Sequence, residues 1–373
     1  MTATPTAPPD HATTPPRPSS RDPWLDNAKM TLVTLVVVGH AWVLLPASDA
    51  RDTAYHALYA WHVPAFVMVT GYLSRSFAWT LPRFRALLLT VAVPYLVFEA
   101  AMALFRTTVG GEDLDRLFID PHWPMWYLAA LFLWRLVTPI FLRIPHPLMV
   151  AVVISLLGGY VGGDVLDIAR TTGLLPFFVL GLVVRREHLT RIRTRGWRLV
   201  GVLGLVGTIV AAWFLHAPLS MELLYWRSTY AEAGFGNMTG PLARSALMAV
   251  AALTAVGVLA LVPRRDGWFT ALGPATLIVY LFHGFVVKGV EYTPSALAWA
   301  ASAPHVGLLV VTAAAVAVAL LLAAPPVARG LSPAIDPLGT IDDLNPRDWA
   351  DEIPPRLHAS ATPVEPHFPG QLR

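Results

Sequence analysis

Three histidines lie inside long apolar stretches of the chain, where an imidazole is out of place: His40, His62 and His283. Ionisable side chains in such stretches are costly and mark function by default. If each stretch is a helix rising 1.5 Å per residue, depth can be counted from its ends. His40 then lies about 9 Å from the end near Pro46, His62 roughly 12 Å from the start of its antiparallel neighbour, and His283 about 10 Å from the end of its own stretch. Three helices of differing direction thus bring an imidazole to one slab. A neutral imidazole takes a proton from a hydroxyl near pH 7, which is general-base chemistry, and it can also carry an acyl group briefly. Imidazoles facing one another across a gap could alternatively ligate haem or a metal. Glu99 falls at a similar level and Arg135 near the middle of its stretch. A Glu99–Arg135 pair and a carboxylate that orients a histidine are both open there.

The elements that must carry these residues are set by composition. Of 373 residues, 55% are hydrophobic and only 14% charged, against about a quarter charged in ordinary soluble domains. The deficit comes from apolar runs of roughly 17–25 residues, the length that crosses a ~30 Å hydrocarbon layer. Backbone groups in lipid need internal partners, so spanning segments are helices or closed barrels. These runs are continuous and rich in Leu, Val and Ala, which selects helices. Spans are expected at 28–46, 54–74, 84–105, 124–143, 147–163, 170–186, 197–216, 241–262, 271–290 and 304–324. The expected fold is an all-α polytopic membrane helical bundle of about ten transmembrane helices. The chain has no cysteine, which excludes disulfides, thiolate nucleophiles and thiolate metal sites.

Loop charge orients the bundle. Arginines and lysine collect before span one (Arg17, Arg21, Lys29), between two and three (Arg75, Arg83, Arg85), after four (Arg143), between six and seven (Arg185 to Arg198), between eight and nine (Arg264, Arg265) and after ten (Arg329). The intervening loops are neutral or acidic, with Asp49 and Asp52, Glu112 to Asp120, Asp164 and Asp167, and Glu222 and Glu232. Alternation of this kind follows the positive-inside rule and places both termini in the cytoplasm. Residues 1–23, rich in Pro, Thr and Ala, are expected to be a disordered cytoplasmic tail rather than a cleaved signal peptide, and 325–373 a Pro-rich polar cytoplasmic tail.

The sequences around the histidines carry a family resemblance. Trp24-Leu25-Asp26-Asn27-Ala28-Lys29 followed by Leu35-Val36-Val37-Val38-Gly39-His40, then Trp61-His62-Val63-Pro64-Ala65-Phe66 and Thr70-Gly71-Tyr72-Leu73, resemble the opening of the membrane acyltransferase 3 family. Val93-Pro94-Tyr95-Leu96, Pro124-Met125-Trp126-Tyr127-Leu128, Leu175-Pro176-Phe177-Phe178-Val179-Leu180-Gly181, and Leu272-Gly273 through Tyr280-Leu281-Phe282-His283 continue it in order over 24–283. The fucose 4-O-acetylase-like branch is the one it is most similar to. The resemblance makes 24–324 a transmembrane acyltransferase domain.

It also implies transfer of an acyl group, usually acetyl from acetyl-CoA, to a hydroxyl of a carbohydrate or glycolipid, with His40 as the essential histidine. His62 or His283 is then expected to donate to the thioester oxygen or orient the acceptor. The resemblance further implies that arginines at the cytoplasmic entry to span three hold the acyl-CoA. Arg75, Arg83 and Arg85 are the candidates, although Arg83 and Arg85 stand closer together than the family's usual pair; setting topology is their alternative role. Trp126 and Tyr127 are expected either to stack on a sugar ring or to anchor span four at the interface, and Glu99 to serve the substrate side. Asp26, 14 residues before His40, is too far along its helix to pair with it and takes a structural or CoA-side role. No resident metal and no nucleic-acid partner is expected, and the location is the cell inner (plasma) membrane, multi-pass. Two readings from other classes compete: a transporter or flippase for a glycolipid or small molecule, which would show paired interrupted helices, and a haem-bearing redox protein.

Overall fold

The computed structural model describes residues 22–163 and 165–335. Of the two expected tails, 1–21 and 336–373 lie outside the described residues. Within them every regular element is helical and there is no strand. The helices are α1 (Pro23–Trp42), α2 (Asp49–Tyr59), α3 (His62–Ser74), α4 (Leu81–Leu87), α5 (Val93–Thr108), α6 (Trp126–Phe141), α7 (Pro147–Val161) and α8 (Ile168–Val183). They continue with α9 (Arg186–Arg191), α10 (Arg195–Leu215), α11 (Met221–Tyr225), α12 (Thr239–Leu261), α13 (Thr276–Glu291), α14 (Pro304–Ala323) and α15 (Pro325–Ile335).

Among the described residues, six helical stretches are long and apolar enough to cross a membrane: Leu81–Thr108, Val165–Val183, Arg195–Leu215, Thr239–Leu261, Thr270–Glu291 and Pro304–Ala323. α6 and α7 are apolar but shorter. Their surfaces fit a bilayer. Along α10, Leu199, Leu203, Val206, Ile209, Trp213 and Phe214 are exposed, an apolar face that water would not tolerate but lipid does. The expected second span, 54–74, is two helices: α2 ends at Tyr59 and α3 restarts at His62. Pro64 falls in the first turn of α3, the place where a missing N–H costs nothing. The stretch after Pro325, expected as a polar tail, begins instead with α15, which packs against α13 and α14 and buries Ile335.

α1 lies at the centre of the main core, where Ala28, Met30, Leu32, Val33, Val37 and Val38 are buried. It opens with Pro23 in its first turn and the Asp22 side chain accepting the Trp24 N–H at 3.0 Å, an N-cap that satisfies an orphan donor. Asp26 pairs with Lys29 at 2.7 Å. Beside α1, α3 and α8 cross in backbone contact. A Cβ on Gly71 would stand 2.0 Å from the Phe178 carbonyl oxygen, and one on Gly181 would stand 2.0 Å from that of Met68. Only glycine permits this approach, the small-residue packing by which membrane helices associate, and it fixes the helix that begins with His62.

Candidate active site

The three histidines converge on one end of the bundle. His40 comes from the last turn of α1, His283 from the middle of α13 and His62 from the first residue of α3. His40 Nδ1 lies 2.8 Å from His283 Nε2, with the rings stacked 5.1 Å apart. His283 Nδ1 faces two backbone carbonyls, Val279 O at 3.1 Å and Tyr280 O at 2.6 Å. A carbonyl can only accept, so Nδ1 of His283 carries the proton and its Nε2 is the acceptor in the neutral ring. His40 Nδ1 must therefore donate to it. Of the two nitrogens of His40, Nε2 is left with the lone pair.

His62 follows the same rule. Its Nδ1 donates to Leu58 O at 2.8 Å, bridging the break between α2 and α3, so Nε2 is again the basic nitrogen. With both Nδ1 protons committed to carbonyls, neutral His62 and His283 have no proton to give through Nε2. Between His40 and His283 the 2.8 Å contact leaves no room for a macrocycle.

His40 and His62 line a cavity of about 360 Å³. His283, fully buried, stands behind His40 and outside the lining. Trp126 and Tyr127 are part of the wall, as are Tyr55, Tyr59 and Tyr225. Tyr127 shares a hydrogen bond with Thr70 of α3, and Tyr280 donates to the Pro124 carbonyl. Glu99 lies outside the lining. Its Oε1 accepts the His122 backbone N–H at 2.9 Å and its Oε2 is buried without a partner. It is paired with backbone rather than with Arg135, whose Nε approaches Ser74 at 3.5 Å.

Sequence reasoning missed several cavity residues, Trp123, His122 and Arg170 among them. Trp123 tilts over His40 with ring centroids 4.2 Å apart, on a connecting segment counted as an outer loop. The run His122-Trp123-Pro124-Met125-Trp126-Tyr127 was the available signal. His122 itself lines the wall, and burial, with Arg106 and Lys288 nearby, pushes it down to about 3. Arg170, mostly buried at the start of α8, pairs with Asp167 at 3.1 Å, donates to Tyr225 O at 3.2 Å and lies 4.6 Å over the Trp126 ring.

The 109–125 segment is latched in place by ions. Glu112 accepts from Arg106 Nε at 2.8 Å, Lys288 Nζ at 3.1 Å and Tyr292 Oη at 2.6 Å. Burial raises the Glu112 carboxyl, but the bonds from Tyr292, Arg106 and Lys288 outweigh it and hold it at about 2. Lys288 and Glu291 also line the cavity, so the latch is one of its walls.

A second, apolar cavity lies farther along α3, lined by Met68, Val69 and Tyr72 together with Trp24, His188 and Leu189. His62 and Phe66 face the first cavity and Val69 the second. Their spacing, i, i+4 and i+7, is a single stripe of the helix. Beyond it, Arg75 donates to Tyr72 O at 3.1 Å and to Val184 O at 2.7 Å, tying the ends of α3 and α8. Arg83 bonds Ser76 O, and Arg85 is exposed on α4. Thirteen residues of α3 separate the histidines from these arginines, or about 20 Å.

A model of the acyltransferase domain of the acyltransferase 3 family matches residues 22–324. The chain belongs to that family. No curated protein and no solved structure matches it. A membrane acyltransferase is thus established at the family level, and His40, His62 and the cavity they share fall within the matched region.

Proposed function

We propose that the protein is an integral membrane O-acyltransferase of the fucose 4-O-acetylase-like branch. It moves an acyl group, acetyl by preference, from cytoplasmic acyl-CoA to a hydroxyl of a carbohydrate or glycolipid held in the His40 cavity. The observation that carries the reading is the bond between His40 and His283. It leaves Nε2 of a buried histidine as a base on a ring that lines the chamber.

The step needs no resident metal. The acceptor hydroxyl gives its proton to His40 Nε2 while its oxygen attacks the thioester carbonyl carbon. The C–S bond breaks, and the departing thiolate takes the proton back from Nε2, leaving an ester, a free CoA thiol and a neutral histidine. Arg170 faces the same chamber and supplies positive charge for the thioester oxygen as it becomes anionic, the kind of pre-placed charge that lowers acyl-transfer barriers most. His62 Nε2 accepts from a second hydroxyl of the acceptor and fixes its orientation.

Aromatic walls support a sugar acceptor, since Trp123, Trp126 and Tyr127 offer flat faces to a ring and the cavity volume suits one or two sugar units. The stripe along α3 supports delivery of the thioester from the opposite end of the bundle. In this reading there are ten crossings, both termini are cytoplasmic, and the membrane is the plasma membrane. Arg83 and Arg85 meet the CoA, and Arg75 holds the helix ends between which it passes. The test is transfer of label from radiolabelled acetyl-CoA to candidate glycans by membranes holding the wild type or His40→Ala. Label transfer by the wild type and its loss in the variant are expected; equal transfer by both removes His40 from the mechanism.

A further inference from the structure

We infer that the connection between α12 and α13 carries a phosphate-binding site, with the Arg264 guanidinium, which lies over the Trp24 ring of the second cavity's wall, as its principal ligand. Both terminal nitrogens of Arg264, Nη1 and Nη2, are buried and have no hydrogen-bond partner. Arg264 as a whole is half-buried, but terminal nitrogens buried without a partner are costly unless an anion completes them. The side chain is nevertheless held firmly. It lies 5.1 Å over the Trp24 ring, whose indole N–H is fixed on Leu259 O at 3.0 Å. The Asn27 amide donates to Pro263 O at 2.9 Å and to Arg265 O at 3.2 Å, and Thr270 donates to Asn27 Oδ1 at 2.9 Å. A loop pinned on both sides of Arg264 thus presents two donors with nothing to receive them.

The surroundings select the charge of the ligand. Burial, and after it the charge of Arg193, push the Arg264 guanidinium below its ordinary value; Asp22 opposes this and Arg198 adds to it. The like charges of Arg193 and Arg198 set against Asp22 favour an anionic ligand, and the planar guanidinium fork fits the oxygens of a phosphate monoester. Trp24 is shared between this site and the second cavity. A ligand with a phosphate on Arg264 and an apolar arm in that cavity would therefore point along α3 toward the histidines. The 3′-phosphate of CoA is such a group, and an anionic phospholipid headgroup is the other source of the same chemistry. That the ligand is CoA rests on the acyl-transfer reading; the phosphate site does not.

The experiment uses the purified full chain in nanodiscs of zwitterionic lipid and titrates CoA and 3′-dephospho-CoA. The wild type should favour CoA by about tenfold or more, the loss expected when one partner of a buried charge pair is removed. Arg264→Gln should erase the preference, Arg264→Lys should keep part of it, and Arg265→Gln, next door and exposed, should keep all of it. Melting temperature reports whether each variant is folded. In a second arm phosphatidylglycerol is added. Stabilisation of the wild type but not of Arg264→Gln, with no CoA preference in either, assigns the site to a lipid headgroup. A preference and a lipid response both indifferent to Arg264→Gln overturn the site. His40→Ala should retain the CoA preference. Arg264-dependent CoA binding without any transfer would sink the acyltransferase reading alone, and His40-dependent transfer indifferent to Arg264 would sink this site alone.

Discussion

His40 and His283 are 243 residues apart in sequence and share one hydrogen bond of 2.8 Å, so the tautomer of one ring dictates that of the other. The carbonyls of Val279 and Tyr280 set the proton on His283, and His283 sets it on His40. The bond decides which nitrogen of His40 carries the lone pair.

His283→Leu is therefore expected to lower kcat by roughly 10²-fold, within the range that general-base catalysis contributes, with KM for both substrates little changed. His283→Gln, whose side-chain carbonyl can accept from His40 Nδ1, should recover part of the loss. Steady-state kinetics checks this. Loss of KM in place of kcat would make His283 a packing residue.

Trp123→Ala should raise KM for the acceptor by about tenfold while leaving KM for acyl-CoA within twofold, since stacking on a flat ring contributes about 1 kcal/mol or more. Initial rates with each substrate varied in turn separate the two. Equal effects on both would place Trp123 in the support of His40.

The latch has a pH signature. Glu112 is held at about 2, below its unfolded value of 4.5. A depressed carboxylate stabilises the fold above its unfolded value and loses that contribution as pH falls through the folded one. Glu112→Gln should thus lower the melting temperature at pH 7 by a few degrees, in keeping with about 1–3 kcal/mol for hydrogen bonds to a charged group. The gap to wild type should close between pH 4.5 and 2. Thermal unfolding across that range checks it; a gap constant with pH would mean the latch does not depend on the carboxylate charge.

How far the sequence revealed this site depended on the kind of information. That His40, His62 and His283 share a level was legible, because rise per residue is fixed in a helix. Their contact was not, since rotation about the helix axis is set by packing such as the Gly71–Gly181 crossing. Trp123 and Arg170 were passed over for a related reason. One lies on a connection that folds back over His40 and the other at a span boundary, where an arginine reads as a topology signal. The division of the expected span 54–74 into α2 and α3 was missed, although Pro64 marks where α3 begins. Glu99 is a buried carboxylate outside the cavity lining, and its partner, a backbone N–H across 23 residues, leaves no trace in composition.

Gly181→Val should disrupt the α3–α8 crossing, where a Cβ would stand 2.0 Å from the Met68 carbonyl oxygen. Loss of roughly 3 kcal/mol or more, typical of overpacking against backbone, should appear as reduced folded yield in detergent. A variant that folds and melts like the wild type would show the crossing to be looser than described.

The most direct test of the central claim is acyl transfer itself in the full chain. Purified protein in nanodiscs should move label from radiolabelled acetyl-CoA to a glycan, and His40→Ala, folded to the same melting temperature, should slow that transfer by about 10²–10⁴-fold. Undiminished transfer by His40→Ala would contradict the account.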